Sequence, residues 1–249
     1  MSANKEDGTQ VSHKALDTRK IALIAVFAAI YVVGSYLPGF PMIGVPGSKI
    51  DLVRALEVSY GLILGPVWGP VAAFMGAIIG KILSGGGVGV FFTPLAPLTA
   101  FMVAVIGRRR VFGCKGWMIG SVVLGALIVG WFITDAGRAV PYYSGMHLLG
   151  LAVVLVFRDR VSGDIWSGDR RRVAVGTAVT GFASTVSGHM LGNLIYIAMF
   201  SPSPLFFATL LPVSLAERLV ITAISTMVST SLILVIMKTY PGLIETGES

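Results

Sequence analysis

Long apolar runs broken by short polar clusters set the pattern of this chain. Runs of roughly 17–25 apolar residues have the length that crosses a bilayer as helix. Eight apolar segments are read at about 20–37, 52–66, 67–84, 90–107, 117–135, 146–157, 173–200 and 206–238. A hydrocarbon core accepts only helices or closed barrels, and runs this long exclude a barrel. The expected class is an all-α integral membrane protein with about eight transmembrane segments. Residues 1–18 read as an N-terminal tail, 19–239 as one membrane domain and 240–249 as a C-terminal tail. The first segment is too long, and too many others follow, for a cleaved signal peptide.

Composition agrees with the pattern. The 249 residues are 55% hydrophobic and 12% charged, whereas soluble domains carry about 25% charged residues. The formal net charge of +7 raises the question of nucleic acid, but the bases cluster between apolar segments. Arg19 and Lys20 precede the first segment. Arg108, Arg109, Arg110 and Lys115 follow the fourth. Arg158, Arg160, Arg170, Arg171 and Arg172 follow the sixth, and Lys238 closes the eighth. With the N-terminus inside, every cluster falls in the cytoplasm. The expectation is a multi-pass protein of the cell membrane, both termini cytoplasmic, with no nucleic-acid partner. Cys114 is the only cysteine, which excludes an internal disulfide and argues against a cysteine metal site. "GAIIGK" at 76–81 is one residue short of a phosphate loop, and Ile82 replaces its Ser or Thr. Gly76 and Gly80 read instead as a close helix contact. No catalytic residue, metal or cofactor is expected in this chain.

The polar residues inside the apolar segments are the informative ones. This topology makes 38–51, 84–89, 136–145 and 201–204 external loops. In "GSKIDLVRALEVSYGLILGP" (47–66), Asp51, Arg54 and Glu57 descend from the outer surface. Arg54 lies about 5 Å and Glu57 about 9 Å below Asp51 if the stretch is helical. One reading is a helix end with snorkelling side chains and i, i+3 pairs. The other is a polar cavity open to the outside, since intramembrane charges face a bundle interior or water. Thr185, His189, Asn193 and Tyr196 share one helical face with Phe182 and Phe200. Pro212 reads as a first-turn residue, placing Glu217 and Arg218 one to two turns below the outer surface. Adjacent residues point about 100° apart, so at most one of these two is expected to face a cavity squarely. The candidate ligand-binding set is Asp51, Arg54, Glu57, Lys81, His189, Asn193, Tyr196 and Glu217. Tyr142, Tyr143 and His147 could extend or cover that pocket, and Asp135 with Arg138 forms an i, i+3 pair. The inner halves of the segments are nearly free of such groups, so the expected arrangement is an outer polar bowl over a dry floor.

Ala22, Ala25 and Ala29 in "ALIAVFAAI" form a narrow small-residue strip. A Pro/Gly external loop, an acidic start to a short second helix and "GLILGPVWGPVAAFMGAIIGKIL" follow it. With "GNLIYIAMF" and "LAERLVITAISTMVSTSLILVIMK" near the C-terminus, the order resembles the substrate-binding S components of energy-coupling factor (ECF) transporters. The resemblance is clearest over 20–107 and 192–238. It implies a six-helix receptor for a vitamin or similar small water-soluble micronutrient. It also implies docking through Ala22, Ala25 and Ala29 on a transmembrane T component with two cytoplasmic ATPases, where ATP is hydrolysed. The surplus over six helices is 117–157, read as an inserted hairpin at the periphery. Two alternatives stay open: a polytopic membrane enzyme acting on a lipid or prenyl phosphate, with His189 and Glu217 as acid and base, and an autonomous secondary carrier.

Overall fold

The computed structural model describes residues 18–37, 39–41 and 49–240, and it is mostly helical. Helix α1 (Thr18–Gly34) leads to a two-stranded antiparallel ribbon, β1 (Gly39–Pro41) and β2 (Lys49–Asp51), which pairs Gly39 with Asp51. The middle of the predicted first external loop lies outside the described residues. A 3₁₀ turn at Leu52–Leu56 enters α2 (Glu57–Leu83). A second 3₁₀ turn (Gly87–Phe92) precedes α3 (Leu95–Ile106). A small ribbon, β3 (Arg110–Val111) and β4 (Cys114–Lys115), leads to α4 (Gly116–Ile133) and short α5 (Asp135–Ala139). A 3₁₀ turn (Pro141–Ser144), α6 (Gly145–Phe157), α7 (Asp159–Ile165), α8 (Arg170–Phe200) and α9 (Pro204–Thr239) complete the order.

Among the described residues, four helices are long and apolar enough to cross a membrane: Leu52–Leu83, Gly87–Ile106, Gly116–Ile133 and Pro204–Thr239. The expected count of about eight is corrected accordingly. Leu52–Leu83 is counted there as one element, although it is broken at Gly65, between the expected segments 52–66 and 67–84. The apolar stretches Lys20–Gly34 and Pro141–Phe157 are shorter helices. Helix α8 has the length, at 31 residues, but its Ser, Thr, Gly, His and Asn residues dilute its hydropathy.

Helix α2 is not straight. Gly65 has φ 83° and ψ −174°, a conformation open to glycine, and Pro66 follows it. A methyl group at Gly69 would lie 2.7 Å from the Tyr60 carbonyl oxygen. Nine residues of straight helix would separate those positions by about 13 Å, so the chain doubles back at Gly65. The carbonyls that the break leaves without helical partners go to Arg108 at the end of α3. Its Nη1 donates to Gly61 O and Ala104 O, both at 3.1 Å, and its Nη2 donates to Leu62 O at 2.8 Å. The second half of α2 runs back along α1. Gly76 and Gly80 make the close approach that their spacing suggested: Cβ atoms there would meet Ala28 O at 2.9 Å and Ser35 Oγ at 2.7 Å.

Successive reversals gather the connections into two ends. One end carries Arg108, Arg109, Lys115, Arg158 and Arg170–Arg172 and is called the basic end below; the other holds a cavity. Residues 117–157 belong to α4, α5 and α6, and they are not peripheral. Trp131 of α4 is fully buried between Tyr143 and Phe207 of α9, with ring centres 5.1 and 5.0 Å away. Helix α9 begins at Pro204 and carries Pro212 inside it, which corrects the expected start at 212.

Candidate functional site

Six elements converge at the cavity end: α1, the turn into α2 with the far end of α2, the start of α3, the 141–144 turn, α8 and α9. They enclose a cavity of about 180 Å³. Of the predicted ligand-binding set, Asp51, Arg54, Lys81, His189, Asn193, Tyr196 and Glu217 line it. Glu57 does not. It is 1% exposed behind the wall, where Tyr31 Oη donates to its Oε1 at 2.8 Å and Arg54 Nε lies 3.5 Å away. The 3₁₀ turn at Leu52–Leu56 shifts the helical phase, so an α-helical wheel from Asp51 misplaces Glu57.

The cavity's charges come in pairs. Lys81 Nζ bonds Asp51 Oδ2 at 2.6 Å, Arg54 meets Glu57, and Arg218 bonds its chain neighbour Glu217. Both Glu217 and Arg218 line the cavity, against the expectation that only one would face it. Arg218 also reaches Thr185 Oγ1 at 3.4 Å. With Glu57 counted behind the wall beside Arg54, three cations offset three carboxylates, so a neutral or zwitterionic molecule can enter without leaving a buried net charge. The i, i+3 pair of Asp135 and Arg138 forms at 2.6 Å on the exposed surface.

A polar cluster sits beside the ion pairs. Tyr143 Oη donates to Asn193 Oδ1 at 3.5 Å, Asn193 Nδ2 lies 3.4 Å from His189 Nδ1, and His147 Nε2 lies 3.1 Å from the same His189 atom. Aromatic rings close the other wall. Tyr196 and Phe206 are nearly parallel at 5.2 Å, and Phe207 meets Phe206 edge-on at 5.5 Å.

Sequence reasoning left Tyr31, Phe206 and Phe207 unselected, and all three line the cavity. A tyrosine near a helix end reads as an interfacial anchor, and the Phe pair reads as membrane filler. The α8 face gave the clearest signal, because His, Asn and Tyr at helical spacing have little reason to be there as filler.

Below the cavity the packed helices carry buried polar atoms. Ser59 pairs with Ser229 and Thr177 with Thr230, each at 2.9 Å, while Thr177 and Ser187 also donate to carbonyls one turn back. The expected dry floor is therefore corrected to a floor of internally bonded hydroxyls. Such groups escape a search for charges, because each is satisfied inside the bundle.

Ala22, Ala25 and Ala29 are exposed on α1, whereas Ile24, Ala28 and Tyr31 face inward.

The chain is 26% identical to an uncharacterized protein of Methanocaldococcus jannaschii over 208 residues, which is 83% of this chain and 68% of that one. No family model matches the sequence. No solved structure matches it either.

Proposed function

We propose that this chain is a membrane-embedded capture subunit for a vitamin or similar small water-soluble nutrient, of the kind represented by ECF S components. The observation that carries the reading is the charge-balanced, aromatic-walled cavity at one end of the bundle, over a floor of bonded hydroxyls. A channel would need a polar route from end to end, and a proton-coupled carrier would place ionisable groups along such a route. The arrangement suits a receptor that holds a molecule and depends on others to deliver it.

In this reading the basic end faces the cytoplasm, the cavity faces outward and both termini are cytoplasmic. The protein spans the membrane several times, with the shorter apolar helices completing the bundle. The exposed strip Ala22, Ala25 and Ala29 lets another helix approach closely. It is the docking strip for a T component that works with two cytoplasmic ATPases, and ATP is hydrolysed there. Asp51, Arg54, Lys81, His189, Asn193, Tyr196 and Glu217 contact the nutrient, with Glu57 holding Arg54 in place.

Purified protein reconstituted alone in liposomes tests this reading. The expected result is binding of a small molecule without uptake down a gradient and without turnover. Gradient-driven uptake by the chain alone points to a carrier, and turnover of a lipid phosphate points to an enzyme. Either outcome overturns the proposal.

A further inference from the structure

Arg54, Lys81 and Arg218 line the cavity, and the last two hold carboxylates of the same wall. Lys81 Nζ bonds Asp51 Oδ2 at 2.6 Å. Arg218 Nη2 bonds Glu217 Oε1, and its Nη1 reaches Thr185 Oγ1 at 3.4 Å. Arg54 is different. Its carboxylate partner, Glu57, stands behind the wall and meets it at Nε, where Oε1 lies 3.5 Å away. The terminal nitrogens of Arg54, Nη1 and Nη2, make no hydrogen bond among the described residues. They are not closed off either. Arg218 Nε is buried without a partner, whereas no atom of Arg54 is in that state among the described residues. The 14% of the Arg54 side chain that stays accessible therefore includes its charged end.

A guanidinium end of this kind matches a carboxylate. Nη1 and Nη2 direct two N–H groups the same way, at the spacing of two carboxylate oxygens. Glu57 tethers the opposite corner of the group. It is 1% exposed, and the Oε1 that faces Arg54 Nε also accepts from Tyr31 Oη at 2.8 Å. A phosphate fits less well, because its second negative charge would meet Lys81 and Arg218 already paired. Glu217 lies within electrostatic reach of Arg54. Its Oε1 is bonded to Arg218, while its Oε2 makes no hydrogen bond and is not sealed from the cavity among the described residues. A carboxylate bonded through one oxygen still accepts at the other, so a cationic nitrogen close to the ligand's own carboxylate finds an acceptor there.

We propose that the captured molecule is an amino-carboxylate zwitterion, with its carboxylate on the Nη1–Nη2 end of Arg54 and its ammonium on Glu217. The assignment rests on the capture reading and names the class of molecule captured. Such a molecule leaves the balance of three cations and three carboxylates intact. An acid without the amine adds one negative charge, and an amine without the acid leaves the end of Arg54 unanswered.

The test is isothermal titration calorimetry of the full chain in nanodiscs, with phenylalanine, 3-phenylpropionate, phenylalaninamide and 3-phenylpropanamide as probes. The four share a ring suited to the wall of Tyr196 and Phe206 and differ in charge. Phenylalanine is expected to bind most tightly, and each carboxylate about ten-fold or more tighter than its amide. Arg54→Gln removes the anchor but strands Glu57, so Arg54→Gln/Glu57→Gln is measured beside it as a neutral pair. In both variants each acid and its amide are expected to bind within about two-fold of one another. Tighter binding of the amides in wild type, or a preference for the acids that survives in both variants, overturns the carboxylate assignment and leaves the capture reading standing. Tighter binding of 3-phenylpropionate than of phenylalanine overturns the place given to the ammonium. If none of the four binds, the zwitterion class is overturned, while the compound that stays with the purified protein decides the capture reading separately.

Discussion

Lys81 Nζ lies 2.6 Å from Asp51 Oδ2, and this ion pair joins the far end of α2 to the strand that leads into its beginning. Both side chains are largely withdrawn from solvent, at 19% and 5% exposure, so the pair is more than a surface contact. Lys81→Met leaves a buried carboxylate behind. It is expected to lower stability by about 1–3 kcal/mol, with Asp51→Asn/Lys81→Met recovering part of the loss. A double-mutant cycle from thermal unfolding in detergent checks this; additive effects would show that the pair is energetically idle.

Arg108 bonds two carbonyls beside the reversal at Gly65, those of Gly61 and Leu62, and a third, Ala104 O, on its own helix, and its guanidinium also lies 5.9 Å from the Trp166 ring. A lysine cannot reproduce that fork. Arg108→Lys is expected to cost about 2–4 kcal/mol and to raise hydrogen exchange at Tyr60–Trp68. Arg109→Lys, on an exposed neighbour, is expected to change neither.

Glycines in the same class of helix should respond oppositely to alanine. At Gly76 a methyl group meets Tyr31 and the Ala28 backbone, whereas at Gly125 nothing lies within 4 Å. Gly76→Ala is expected to destabilise by about 1–3 kcal/mol through displacement of α1. Gly125→Ala is expected to be neutral or stabilising by up to about 1 kcal/mol. Unfolding midpoints of the two variants compare them directly.

Cys114 is exposed, and it lies in the ribbon at the basic end. As the chain's only cysteine, it is a built-in topology marker. A membrane-impermeant maleimide applied to intact cells is expected to label it only after permeabilisation. In Cys114→Ser, a cysteine introduced by Ser201→Cys at the cavity end is expected to react from outside. The reverse pattern would invert the orientation on which the capture reading depends.

What the sequence reveals, and what it hides, follows from local against distant causes. The α8 face was legible because His189, Asn193 and Tyr196 recur at helical spacing in an apolar setting. The glycine contact of Gly76 and Gly80 was legible for the same reason. Glu57 misled because the turn before it is 3₁₀, a choice that no local pattern announces. Arg108 stood hidden in a run of three arginines, and only the reversal at Gly65 on another helix gives it a task. Tyr31 and Phe207 became cavity walls through packing between elements far apart in the chain. The division between 52–66 and 67–84 was legible, because it falls at the Gly65–Pro66 break, whereas the count of about eight is not supported: among the described residues four helices have the length and hydropathy to cross.

The central claim is that the cavity holds a small nutrient, and the most direct measurement is mass spectrometry of what stays bound after gentle purification. The expected result is one small water-soluble compound at about one per chain, retained in Arg109→Lys and lost in Asn193→Leu and Arg218→Met variants that still fold. Recovery of lipid and detergent alone, or equal retention of the compound in all variants, would contradict it.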